Sequence, residues 1–125
     1  MNTLNINPLK KALSSLERAI LQPLDEFTRD SVIQRFEFTF ELSWKYLKKY
    51  LESNRPIEDD SIKGILREAL QLNLISNIDQ WFAFHKSRNL TSHTYNEETA
   101  QEVYAEAIKF PSLCHELILN LEKKN

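Results

Sequence analysis

Within eight consecutive positions this chain places an arginine, a histidine and a tyrosine: Arg88, His93 and Tyr95, in the run Ser87-Arg88-Asn89-Leu90-Thr91-Ser92-His93-Thr94-Tyr95. A guanidinium grips a phosphate through two parallel donors. An imidazole moves a proton near neutral pH. A phenol offers a hydroxyl that can bind or be modified. No other stretch of the sequence concentrates chemistry in this way.

The spacing sets a geometric condition. On an uninterrupted helix the five steps from Arg88 to His93 put the two about 140° apart, and His93 shares a face with Asn89 instead. Arg88 and His93 converge on one substrate only if the helix ends before His93 or the long arginine reaches around. The alternative is an arginine that satisfies carbonyls at a helix C-terminus, with His93 a surface or capping group. Elsewhere, His85 follows Trp81 by one turn and reads as a satisfied, partly buried histidine. His115 has no acid or cysteine at metal-ligand spacing, so no metal site is expected. Glu37 and Glu41, one turn apart amid aromatics, can do acid–base work as a pair. They can equally mark a polar helix edge or pair with a lysine or arginine from a neighbouring element. Cys114, beside Leu113 and Leu117, reads as a core residue.

Composition bounds what this cluster can belong to. The 125 residues suffice for one domain, spanning 1–125, and its core. The hydrophobic fraction of 42% and charged fraction of 27% are those of an ordinary globular chain. One glycine and four prolines argue for long helices over sheets joined by tight turns. A phosphate-cradling loop needs several glycines, and only Gly64 is present, so the chain is not itself expected to be a nucleotidyltransferase or kinase. A net charge of −2 gives no global attraction to nucleic acid, so any RNA contact must be local. The lone Cys114 suits a reducing compartment. MNTLNINPLKKAL has no signal-peptide core, and no apolar run reaches transmembrane length, so a cytoplasmic location with no membrane contact is expected.

Periodicity places the elements. Asn7-Pro8 reads as cap and first residue of a helix whose face is Leu9, Ala12, Leu13, Leu16, Ala19 and Ile20, ended by Pro23. A second helix is expected from Thr28–Asp30 to about Ser53. Its stripe is Ile33, Phe36, Phe40, Trp44, Leu47 and Leu51, with Phe38, Leu42, Tyr46 and Tyr50 beside it. So wide an apolar arc marks a central helix. Glu58-Asp59-Asp60 supplies a cap for a third helix, which Asn73 closes in the left-handed conformation. Asn77 and Gln80 resemble a capping box opening a fourth helix through Ile78, Trp81, Phe82 and His85. Asn96 caps a fifth, with Glu97 and Glu98 in its first turn, and Pro111 must kink or split it. The expected fold is an all-α, up-and-down bundle of four main helices plus a shorter one.

Two stretches, Arg35-Phe36-Glu37-Phe38-Thr39-Phe40-Glu41-Leu42-Ser43-Trp44-Lys45 and Arg88-Asn89-Leu90-Thr91-Ser92-His93-Thr94-Tyr95, resemble the nucleotidyltransferase substrate-binding proteins, which belong with the HepT-like group of HEPN domains. The resemblance runs from about Leu9 to Leu121. It implies a helical homodimer with a cleft between protomers, and a minimal nucleotidyltransferase as partner, together forming a toxin–antitoxin pair. It also implies that Arg88, Asn89 and His93 stand at the positions of a metal-independent ribonuclease motif, Arg88 holding the scissile phosphate and His93 moving a proton as the 2′-hydroxyl attacks. Tyr95 stands where HepT-like proteins accept nucleotidyl groups from the partner. On this resemblance the chain is a substrate-binding or regulatory subunit of a nucleotidyltransferase, binding nucleotide or RNA through Arg88, Asn89, His93 and Tyr95. The alternative is a ribonuclease toxin using Arg88 and His93 and silenced at Tyr95. Neither version requires a cofactor or metal.

Overall fold

The computed structural model describes residues 4–124. Residues 1–3 and 125, the ends of the expected 1–125 span, lie outside it. Six α-helices and one 3-10 turn make up the described residues: α1 (Asn7–Ile20), α2 (Glu26–Asn54), α3 (Ile62–Gln71), α4 (Ile78–Asn89), the turn Thr91–His93, α5 (Glu97–Ala107) and α6 (Phe110–Lys124). The all-α bundle read from the sequence is the observed one. The expected fifth helix is divided in two, with Pro111 in the first turn of α6.

The central position of α2 follows from its composition. It packs against α1, α3, α4 and α5. Phe36 and Phe40 from its midpoint meet Trp81 and Phe84 of α4 and Phe110 of α6, all five with no exposed surface. Their rings lie 5.0–6.3 Å apart, mostly edge-to-face, as the aromatic quadrupole favours. The second expected stripe is only partly covered: Phe38 is 39% exposed, and Leu42, Tyr46 and Tyr50 are half-buried. Arg35 ties α2 to α1 through Ser15 Oγ at 3.0 Å. Cys114 is core, as expected, against Ser43 Oγ at 3.7 Å, and burial pushes its thiol up to about 12.

Several helix starts differ from the sequence reading. Ile6, not Asn7, occupies the cap of α1, and Asn5 Oδ1 accepts from the Asn7 amide at 3.1 Å. The second helix starts earlier than Thr28, because Asp25 takes the Thr28 amide at 2.8 Å and so caps a helix beginning at Glu26. Ser61 caps α3, while Asp59 orders the approach by accepting from the Ser61 amide. Asn77 does cap α4, but the Gln80 side chain reaches Glu106 at 2.9 Å, leaving the capping box half-formed. Asn73, at φ 59°, and Asn96, accepting from Thr99, do what the sequence required of them. No helix among the described residues is long and apolar enough to cross a membrane.

Candidate functional site

The four residues singled out from the sequence sit where α4 stops. Leu90 ends the helix, its amide bonding back to Ser87, and the chain then makes a single 3-10 turn through His93. Short-range bonds hold this corner. Thr91 Oγ1 donates to the Arg88 carbonyl at 2.8 Å, the His93 amide to the Leu90 carbonyl at 2.9 Å, and the Asn96 amide to the His93 carbonyl at 3.2 Å. Since α4 ends at Asn89, four residues short of His93, the 140° separation of a continuous helix does not apply. The corner packs against α2, α4 and α5, so its backbone is supported on three sides.

Arg88 is not spent on helix carbonyls. Its Nη2 donates to Glu41 Oε2 of α2 at 2.7 Å, an ion pair with side-chain exposures of 31% and 27%. Glu41 also accepts from Trp44 Nε1 at 3.1 Å and faces Lys45 Nζ at 3.5 Å. Partial burial acts to raise the Glu41 carboxyl, but the Trp44 hydrogen bond and the charges of Arg88 and Lys45 outweigh it and hold the group below its ordinary value. Arg88 is therefore oriented by a carboxylate that stays ionised; its Nε is buried without a partner, and its Nη1 has no protein acceptor among the described residues. Of the Glu37 and Glu41 pair, only Glu41 joins this site, in the ion-pairing role the sequence left open.

Asn89, His93 and Tyr95 are exposed, Tyr95 by 87%. The His93 and Tyr95 rings meet edge-to-face with centroids 6.2 Å apart. No hydrogen bond joins Arg88 to His93 within the described residues. The chain thus presents a fixed arginine, a free imidazole and a free phenol on one open corner. His85, three residues before Arg88, departs from its expected role: it stacks on Phe40 at 6.2 Å, yet its buried Nδ1 has no partner. Burial, then the charges of Lys63 and Arg88, lower its pKa. His115 pairs with Glu17 at 3.0 Å, and no metal-binding group of side chains occurs among the described residues.

Against this geometry, comparison with known proteins is decisive as to family. A family described as nucleotidyltransferase substrate binding protein like matches residues 4–123. The chain belongs to that family. Among its relatives is a Haemophilus influenzae protein named probable ribonuclease HepT, 37% identical over 98% of this chain and 94% of its own length. Among solved structures, one from Haemophilus influenzae, described as revealing the fold of a substrate binding domain of a nucleotidyltransferase, superposes with a TM-score of 0.84. It is 36% identical and covers 94% of this chain and 99% of its own. A Thermus thermophilus structure gives 0.82 at 34% identity, over 90% of this chain and 98% of that one. Residues 88–95 fall inside the matched span of this substrate-binding family.

Proposed function

We propose that this chain is the substrate-binding and regulatory subunit of a minimal nucleotidyltransferase, acting as a homodimer in a toxin–antitoxin-type pair. The observation that carries this reading is the exposure of Tyr95, at 87%, on a corner whose backbone is fixed. A phenol so placed is available to an active site supplied by another protein, and this chain's single glycine leaves it without a phosphate-cradling loop of its own. Family membership supports the partner's identity. Phe38, exposed on α2, lies three residues from Glu41 on the same helix face, so a second copy covering it would sit beside the Arg88–Glu41 pair.

A tagged copy drawn from its source cells is expected to bring down a small nucleotidyltransferase, and the purified chain alone to sediment at the mass of two copies. Recovery of the chain by itself would count against the partnership.

The oriented, under-used Arg88 beside the free His93 favours a second reading, ribonuclease action. Arg88 would hold the phosphate while His93 takes the proton of the attacking 2′-hydroxyl. The 2′ oxygen bonds to phosphorus, the bond to the 5′ oxygen breaks and that oxygen takes a proton from water, so a cyclic phosphate and a 5′-hydroxyl result and His93 returns its proton to solvent. Protein produced without a nucleotidyltransferase is expected to cleave a mixed RNA pool, with the activity lost in both Arg88→Ala and His93→Ala. Activity that survives in either variant would assign the cleavage to something else.

A further inference from the structure

The chain is acidic overall, yet its cations are not spread evenly. Lys63 and Arg67 lie one turn apart on α3, both exposed and neither within 4.0 Å of a carboxylate among the described residues. Both lean over the same ring, that of Phe82 on α4: Lys63 Nζ is 5.7 Å and the Arg67 guanidinium carbon 5.6 Å from its centroid. From Phe82 the helical spacing of three and four runs through His85 to Asn89, one stripe on α4 that ends at the corner carrying Arg88 and His93. Lys86, exposed and also free of a carboxylate partner among the described residues, flanks the stripe. The charges of Lys63 and Arg88 both reach His85 between them.

Of the acids near this stripe, Glu58 and Asp60 stand exposed just before α3 with no cation within 4.0 Å among the described residues, and others are engaged. Glu41 is held by Arg88 and Glu68 by Arg55. Asp59 accepts from the Ser61 amide, and its charge also couples to that of Arg67. Asp79, at the far end of α4 from Arg88, lies one turn before Phe82 and puts a negative charge beside that end of the stripe.

We infer that the α3–α4 face, from Lys63, Arg67 and Phe82 past His85 to Asn89, is a binding track for single-stranded RNA leading to Arg88 and His93. Unpaired cations at one end supply phosphate contacts, and a guanidinium stacked on an aromatic ring offers a flat surface for a base. This deepens the ribonuclease reading by giving its substrate a path, and it is separable from it.

The test is binding of a fluorescently labelled mixed-sequence RNA strand to full-length His93→Ala protein, which cannot consume the probe if that reading holds, across a salt series. Neutralising Lys63 and Arg67 together to alanine should weaken binding about ten-fold or more, and flatten the plot of log affinity against log salt by about 1.4, two contacts at ~0.7 each. The control is Lys11→Ala with Arg18→Ala on α1, an element that packs on α2 and α6. It should change neither. Equal effects from the two pairs, or no RNA binding at low salt, would overturn the track, as would affinity for free nucleotide without affinity for RNA. RNA bound through α3 but never cleaved by protein with His93 intact would keep the track and remove the nuclease. Cleavage indifferent to Lys63 and Arg67 would do the reverse.

Discussion

Glu41 is the residue that makes Arg88 more than a surface cation. Its carboxylate gathers the Trp44 indole, Arg88 and Lys45 on one side chain, fixing the arginine without consuming all its donors. Glu41→Gln keeps the shape and removes the charge. At neutral pH it should cost roughly 1 kcal/mol of stability, the value of a charge-assisted contact discounted for partial exposure. The sign of the pH dependence follows from the lowered carboxyl. A group whose folded pKa is depressed contributes stability above its unfolded value, here ordinarily 4.5, and loses it as pH falls through the folded value. The gap between wild type and Glu41→Gln, followed by urea denaturation, should therefore narrow as pH falls below 4.5 and close once it is beneath the folded value; a gap that persists in acid would mean the ion pair is not its source. The sequence made Arg88, His93 and Tyr95 legible because they crowd into eight positions. It left Glu41 open between acid–base work, a polar helix edge and a cation of a neighbouring element, and did not point to Arg88, because that partner lies 47 positions away and only the fold brings the two together.

At the scale of elements, α2 is long and central for a reason visible in its two apolar stripes, and Pro111 divides α5 from α6 as its missing amide requires. Helix starts were harder to read. Asp25 and Ser61 win as caps over neighbours of equal intrinsic quality, a choice made by loop geometry. Gly64 shows how packing can reverse a propensity. Replacing glycine by alanine inside a helix ordinarily gains about 1 kcal/mol. Here a Cβ would stand 2.6 Å from the backbone oxygen of Asp59, which has no rotamer to yield with. Gly64→Ala should instead destabilise by about 1–3 kcal/mol, read as a lower denaturation midpoint, and a higher midpoint would show that the 55–61 connection is looser than its geometry.

Taken whole, the molecule has a buried aromatic centre and an open corner. The core was legible from periodicity; the openness was not, since exposure of Asn89, His93 and Tyr95 depends on α4 ending at Asn89 and on the short 3-10 turn that follows. That openness is what makes a second protein part of the account. The most direct measurement is the intact mass of the chain after incubation with its nucleotidyltransferase and nucleoside triphosphates. The account predicts a gain of one or more nucleotidyl units, located on Tyr95 by peptide mapping and absent in Tyr95→Phe. An unchanged mass in the presence of a demonstrably active partner, or a gain undiminished in Tyr95→Phe, would contradict it.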